Sequence, residues 1–362
     1  MKKIPLWLKV VLLIGLVYLV FLRPIPYYIE RPGAALDLNP VIEVGGEKSD
    51  ESGKYMMTTV EILQATPFSY FFQFLPYNDV VTEAELFGDI DDYEAYNRLQ
   101  KYYMDSSIHS AIVAAFDAAD KPYELTYNGV YVMSVADNSN FKSSLQMGDT
   151  ITSVDDLLFE NTEEFMDYIK SQEIGKNITV HYERDGVESV SEGQLVELEE
   201  TGEPGIGISL VDQSTVVTDP EVTIDAGQIG GPSAGLMYSL QIYSMITDNN
   251  LRDGQTIAGT GTISDDGTVG PIGGIDKKVV AADEEGATVF FAPNDELTDE
   301  QKEDFPDYKT NYEIAVEAAK DIDTDMEIVP VKTFNDAIEY LESLSPVAET
   351  SSQSQGDFLF VA

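Results

Sequence analysis

A glycine-rich turn ahead of an apolar helix pattern constrains this chain more than any other stretch. Residues 230–235 read Gly-Gly-Pro-Ser-Ala-Gly, and residues 236–246 carry apolar side chains at helical spacing. Small residues let other backbone approach Ser233, and Pro232 suits the first turn of a helix. The unpaired N–H groups of such a helix start can hold an oxyanion beside a serine nucleophile. A serine that merely caps the helix is the alternative.

The scarcity of cysteine and histidine limits the kinds of catalytic and metal site that the chain can form. The 362-residue chain has no cysteine and two histidines, His109 in a helix-like run and His181 in a strand pattern. Disulfides, a thiol nucleophile, a metal site and a Ser-His-Asp triad are therefore not expected. No Walker A pattern occurs, so neither a nucleotide nor any other cofactor is predicted.

The charge balance bears on the partners of the chain. Its formal charge is −44, and hydrophobic residues make up 43%, enough for sizeable cores. Such an acidic surface repels nucleic acid, which we exclude as a partner. The same surface would attract cationic peptides, or it serves solubility alone.

The N-terminus carries the signature of a membrane anchor. Lys2 and Lys3 precede an apolar run over residues 4–22 that is interrupted by Lys9. A run of about 18 residues is just long enough to span a bilayer, and no small-residue cleavage site follows it. We therefore predict an uncleaved single-pass anchor in the cell membrane, with a cytoplasmic N-terminus and the body of the chain outside.

The middle of the chain is rich in strand patterns. Residues 129–135 and 178–184 read as strands, with a helix pattern around residues 162–171 between them. This order, with its Gly148-Asp149-x-Ile151 step, resembles a bacterial PDZ domain over residues 122–200. The resemblance implies peptide binding by strand addition. A small β-rich spacer that binds nothing is the alternative.

The same resemblance implies where a peptide would bind. Backbone N–H groups near Asn128, Gly129 and Val130 would receive a chain end.

A serine nucleophile without a usable histidine needs another base, and a lysine can serve when burial and nearby dipoles lower its pKa. Lys277 and Lys278 both stand at the start of a helix pattern, directly after a Gly-Gly turn. The residues alone do not choose between these two lysines. Two solvated lysines that offset neighbouring acids are the alternative.

Three motifs follow one another in the C-terminal part. They are Gly-Pro-Ser-Ala-Gly at 231–235, Thr-Gly at 260–261, and Pro-Ile-Gly-Gly-Ile-x-x-Lys-x-x-Ala-Ala at 271–282. Together they resemble the proteolytic domain of the Lon protease family, over about residues 205–345. The resemblance implies that Ser233 is the nucleophile and that Lys278 is its catalytic partner.

The remaining roles also follow from that resemblance. Thr260 would orient the lysine amine, and Lys277 would be a solvated neighbour. Backbone N–H groups around Gly231 and from Ser233 to Ala234 would stabilise the oxyanion.

The whole order resembles the membrane-anchored, PDZ-containing Lon-like proteases of bacteria. We expect a mixed α+β chain that comprises a stub and anchor (1–23), a linking region (24–121), the PDZ-like and Lon-type domains, and a disordered tail (346–362).

The expected function is that of an ATP-independent serine endopeptidase at the cell surface. It would cleave peptides or unstructured protein segments, for example in the processing of secreted signalling peptides. The alternative is a catalytically inactive, surface-anchored PDZ-type scaffold, and assembly into a homo-oligomer is left open.

Overall fold

The computed structural model describes residues 5–88, 90, 93–199, 201–297 and 304–344. The predicted disordered tail (346–362) and the N-terminal lysines lie outside these residues. The α-helices in the described part are α1 (Leu6–Val17), α2 (Glu83–Phe87), α3 (Tyr93–Ala118), α4 (Thr162–Lys170), α5 (Gly235–Thr247), α6 (Ile275–Glu284), α7 (Asn311–Asp321) and α8 (Phe334–Leu344). The strands there are β1 (Tyr27–Asp37), β2 (Ile42–Val44), β3 (Glu47–Lys48), β4 (Lys54–Gln64), β5 (Asp79–Thr82), β6 (Tyr123–Val135), β7 (Thr150–Val154), β8 (Asn177–Arg184), β9 (Val187–Gln194), β10 (Val196–Glu197), β11 (Pro204–Gly205), β12 (Ile208–Thr218), β13 (Val222–Ile224), β14 (Thr256–Gly259), β15 (Thr262–Ile263), β16 (Val269–Gly270), β17 (Val289–Pro293) and β18 (Glu327–Val331).

The apolar N-terminal run forms a short helix. α1 has 12 residues and continues as a π-helix over Tyr18–Leu22, and Pro24 then prevents further helix. Twelve residues span about 18 Å, less than the ~30 Å of a bilayer core. None of the helices in the described ranges is long and apolar enough to cross a membrane. The structure therefore does not support the predicted transmembrane helix.

A six-stranded mixed sheet, in the order β18-β17-β14-β4-β1-β5, combines strands from the N-terminal and C-terminal parts of the chain. β18, β17, β14 and β4 run parallel to one another, whereas β1 pairs antiparallel with both β4 and β5. The strands β1, β4 and β5 come from the segment that the sequence analysis gave as a linking region. That segment thus supplies half of the sheet.

Both faces of this sheet are covered by helices. α3, α5 and α8 lie on one face, where Met57, Ile257 and Phe291 join Leu236 and Phe334 in one buried cluster. On the other face, α6 and α7 pack over a second cluster. Alternate residues of each strand therefore point into different cores, which explains the nearly continuous apolar runs of β14 and β17.

A five-stranded antiparallel sheet, β12-β6-β7-β8-β9, makes up the middle module. Its core joins Val132 and Val180 of the sheet to Phe165 of α4. β12 pairs with β6 along its whole length, although the sequence analysis placed residues from 205 onward in the following domain. α3 lies beside both modules, since it packs on α5 and its Tyr102 stacks on Tyr131 of β6 at 4.4 Å.

A fully buried arginine fastens the loop before β4 to the C-terminal half. Arg252 donates to Asn39 at 2.8 Å, to Ser49 at 3.1 Å and to Glu51, and its guanidinium lies 5.2 Å from the centre of the Tyr55 ring. Loss of this cation would leave several buried polar groups without their partner.

We predict that Arg252→Met lowers the free energy of unfolding by about 3–5 kcal/mol, because it removes one member of a buried ion pair. Urea denaturation measures the change. The matched control is Lys309→Met, which removes the exposed 2.7 Å pair with Glu317 and should lower stability by less than about 1 kcal/mol. Equal losses in the two variants would contradict the prediction.

Candidate active site

Ser233 lies in the turn that leads into α5, and α3 holds this turn from outside. The Gly231 N–H donates to the Gln100 carbonyl at 2.8 Å, and the Ser107 hydroxyl donates to the Pro232 carbonyl at 2.9 Å. Gly231 has a φ of +90°, which explains the glycine at this position. The turn is thus fixed on both sides of Pro232, directly before the serine.

Lys278 reaches the serine from α6 on the other side of the sheet. This helix starts at Ile275 after Gly274, which takes a left-handed conformation with a φ of +65°. The Lys278 Nζ lies 2.7 Å from the Ser233 Oγ and 2.9 Å from the Thr260 Oγ1. Ser233, Thr260 and Lys278, separated by up to 45 residues in sequence, therefore meet at one point.

Thr260 fixes the direction in which the amine can act. Its hydroxyl donates to the Ser233 carbonyl at 3.0 Å, so its oxygen faces Lys278 as an acceptor. A neutral amine that donates one N–H to Thr260 keeps its lone pair for the Ser233 hydroxyl. The geometry suits proton transfer from serine to lysine.

The environment of Lys278 favours the neutral amine. Its side chain is buried, and burial lowers the pKa of Lys278 from 10.5 to about 7. Within the described residues, its side-chain hydrogen bonds go to the two hydroxyls and to no carboxylate. A large fraction of the molecules therefore carries an uncharged base at neutral pH.

Lys277 differs from the expectation of a solvated neighbour. It is 3% exposed, and its Nζ lies 2.5 Å from an Asp79 oxygen and 3.4 Å from one of Asp276. Burial alone would lower the pKa of Lys277, but the hydrogen bonds and charges of the two carboxylates outweigh burial and raise it. Lys277 is thus a buried ion-pair partner and stays charged.

The N–H groups next to Ser233 are not equivalent. That of Gly231 is occupied by the Gln100 carbonyl and is not free to hold an oxyanion in this conformation. Within the described part of the chain, the N–H groups of Ser233 and Ala234 have no hydrogen-bond acceptor. These two adjacent donors are therefore the ones open to a ligand oxygen.

A cleft of about 1030 Å³ opens beside these groups. Ser233 and Lys278 lie in its wall, together with the turns around Gly231 and Gly273. The β4 residues Thr58–Ile62 line it as well. A cavity of this size can take a peptide segment of several residues.

The residues predicted to receive a chain end lie in β6, away from the cleft. Val130 pairs with both β12 and β7, and Gly129 pairs with β12 and is buried, whereas the Asn128 side chain is exposed and donates to the Thr215 hydroxyl. A Cβ on Gly129 would lie 2.1 Å from the Ile151 carbonyl oxygen, so no peptide strand can enter there. The backbone of Gly129 and Val130 is therefore not open to a chain end in this structure, and the role of Asn128 stays a prediction.

Two residues that hold the serine turn were missed by sequence reasoning, Gln100 and Ser107 of α3. Their spacing of seven places them on the helix face that also carries the buried Met104 and Ala111. That spacing was the one available signal. Gln100 also explains Gly230, since a Cβ at position 230 would lie 2.8 Å from the Gln100 Cβ.

Comparisons with known families agree with this architecture. A family model described as the PDZ domain matches residues 114–192, and one described as the Lon protease (S16) C-terminal proteolytic domain matches residues 213–338. The chain therefore contains both domains, which confirms the two resemblances. The second of them is a domain of the serine peptidase class of hydrolases.

Several curated relatives are similar to the C-terminal part. The peroxisomal Lon protease homolog 2 of Caenorhabditis elegans is 33% identical over 36% of this chain and 15% of its own length. The Lon protease of Methanosphaera stadtmanae is 35% identical over 30% of this chain and 14% of its own length. The Lon protease of Desulforamulus reducens is 39% identical over 24% of this chain and 11% of its own length. The chain thus matches about a seventh or less of the length of these relatives.

A solved PDZ domain, from an SdrC-like protein of Listeria monocytogenes, is 39% identical and covers 24% of this chain and 93% of that chain. Its TM-score of 0.24 carries no argument about the fold.

We predict that Lys278 makes stability depend on pH between about 7 and 10.5. In this window the unfolded chain binds a proton that the folded chain does not, so stability rises with pH, by about 1.4 kcal/mol per pH unit at most. Below pH 7 both states are protonated and the contribution is constant. Urea denaturation from pH 6 to 9 should show that the free energy of unfolding rises more steeply with pH in the wild type than in Lys278→Met. Parallel curves would contradict the lowered pKa.

Proposed function

We propose that this chain is an ATP-independent serine endopeptidase that cleaves peptides or unstructured protein segments through a Ser233–Lys278 dyad. The observation that carries the proposal is the 2.7 Å contact between the serine oxygen and a buried amine whose pKa is about 7. A nucleophile beside a base that is neutral at working pH is what amide hydrolysis requires.

Lys278 acts first as a general base. Its lone pair takes the hydroxyl proton of Ser233 while the serine Oγ attacks the scissile carbonyl carbon. The N–H groups of Ser233 and Ala234 stabilise the resulting oxyanion. The ammonium of Lys278 then gives its proton to the leaving amine as the C–N bond breaks, which leaves an acyl-enzyme ester.

Hydrolysis of the ester repeats these roles with water. Lys278 accepts a proton from the attacking water and returns it to the Ser233 oxygen, which regenerates the dyad. Because the base must be uncharged, kcat/KM should rise with pH through about 7.

An extended substrate fits the cleft best. β4 pairs with β14 only as far as the register pair Met57 and Gly259, whereas its pairing with β1 continues to Gln64. The β14-facing edge of β4 beyond Met57 therefore opens into the cleft. Its backbone groups can pair with a substrate in strand conformation, which a folded protein does not offer.

Independence from ATP rests on the sequence, because no Walker A pattern accompanies the proteolytic domain. Lon proteases are the relatives, but this chain matches only a small part of their length, so their activities are not transferred as a whole. Peptides and unstructured segments are the substrates that need no unfolding.

The PDZ domain supports a second candidate, a peptide-binding scaffold. β12 lies at an edge of its sheet, and no other strand of the described residues except β6 pairs with it. The half-buried side chains of Ile208 and Leu210 adjoin the core beneath that edge. A peptide could add there as a sixth strand, in place of the site predicted in β6.

We predict that Ser233→Ala and Lys278→Met each lower kcat/KM for an unstructured peptide by more than about a thousandfold, because each removes one member of the dyad. Thr260→Val keeps both but loses the orienting hydroxyl, and should lower kcat/KM by up to about a hundredfold. Mass spectrometry of the products, with the full-length chain, measures the rates.

The controls for these variants are Ser143→Ala and Lys309→Met, which alter an exposed serine and an exposed lysine away from the cleft. Both should cleave like the wild type. Cleavage that survives Ser233→Ala would overturn the dyad. Peptide binding without cleavage by the wild type would favour the scaffold.

The cell-surface location is a separate proposal, based on the apolar sequence of α1 and the exposure of residues such as Leu6 and Trp7. We predict that the wild type sediments with membranes and that external protease digests its body in intact cells. A variant with Leu12→Lys and Leu16→Lys should leave the membrane fraction, because charges in a hydrocarbon layer are unfavourable. Recovery of the wild type in the soluble fraction would reject the location.

A further inference from the structure

The cleft beside Ser233 is mostly apolar but contains two carboxylates, Glu30 and Glu61. They differ in their partners. Glu61 is neutralised by Arg31, whose guanidinium lies 2.6 Å away. Among the described residues no hydrogen bond acts on Glu30, and Lys277, the cation that acts on it, is ion-paired with Asp79 and Asp276 instead.

The position of Glu30 is fixed by the sheet. It belongs to β1, where its register partners are Ile62 on β4 and Asp79 on β5. Side chains directly opposite one another in antiparallel strands lie on the same face. Glu30 and Asp79 therefore stand side by side at the end of the cleft that β4 lines.

Charges around Glu30 do not balance. Asp79 and Asp276 lie near it, and Lys277 is the one cation that acts on it in the described part of the chain. Lys277 is already bound by both aspartates. Three carboxylates thus share a single ammonium, and burial together with Asp79 and Asp276 raises the pKa of Glu30 although Lys277 opposes the change.

We propose that Glu30 is a specificity-determining residue that binds a lysine or arginine side chain of the substrate. This inference rests on the proposed peptidase function and names its substrate class. A substrate cation supplies the missing positive charge and donates hydrogen bonds to the free carboxylate.

The walls of the cleft suit such a side chain. Val60, Ile62 and Tyr96 line the cleft together with Glu30. Long basic side chains pack their methylene stems on apolar surfaces while the charged end reaches a polar group. The chain as a whole carries a formal charge of −44, so cationic peptides are also attracted from a distance.

The test compares peptides that differ at one position, where lysine is replaced by norleucine, which has a similar stem and no charge. The lysine is moved along the peptide one position at a time, and the full-length chain is used. At the position that meets Glu30, we expect the lysine peptide to have a kcat/KM about tenfold above that of the norleucine peptide.

Two variants identify the residue responsible. Glu30→Gln should bring the ratio of the two kcat/KM values to about one, and Glu30→Lys should favour a glutamate peptide instead. Glu188→Gln, which removes an exposed carboxylate on β9 of the PDZ domain, should retain the wild-type ratio. Circular dichroism melts confirm that each variant is folded.

Failure of this inference is distinguishable from failure of the peptidase function. Equal cleavage of lysine and norleucine peptides at every position leaves the peptidase function intact and overturns the role of Glu30. Peptide binding to the Ser233→Ala chain, followed by fluorescence anisotropy, gives a readout without turnover. Equal affinity for the two peptides, or a preference that survives Glu30→Gln, also overturns the inference.

Discussion

The buried amine of Lys278 is the interaction on which the arrangement around Ser233 depends. Water and carboxylates would both keep this amine charged, and the structure gives it neither, since the side chain is 3% exposed and its partners are two hydroxyls. The apolar core under α6 therefore has a chemical role as well as a structural one. It favours the uncharged amine near neutral pH, which is the state that the proposed peptidase mechanism requires.

The two neighbouring lysines show that local contacts have a larger effect on a lysine pKa than the helix dipole has. Lys277 and Lys278 share the N-terminal part of α6 and hence nearly the same helix dipole, yet their pKa values shift in opposite directions. Consecutive residues on a helix point about 100° apart. One side chain therefore meets the carboxylates near β5, while the other enters the core beside Ser233.

Sequence reasoning identified the three side chains that meet at Ser233 but missed many of the strands and contacts that position them. Ser233, Thr260 and Lys278 were placed by short motifs, and the structure brings these three together. The burial of Lys277 was not predictable, since it depends on Asp79, 198 residues earlier in the chain. Strand patterns indicate that a segment is extended but not which strand it joins. For this reason β1 and β4 were given to a linking region, and Asn128–Val130 were expected to receive a chain end.

The end of β14 links the chemistry to the shape of the substrate. Gly259 is the last residue of β14 that pairs with β4, and the Gly261 N–H donates to the Ser233 carbonyl at 2.9 Å, so the chain leaves the sheet at this point. Its departure places the Thr260 hydroxyl beside Lys278 and at the same time uncovers the edge of β4. A longer β14 would displace Thr260 and close that edge. The contact of Lys278 with Thr260 and the open edge of β4 are thus consequences of the same strand end.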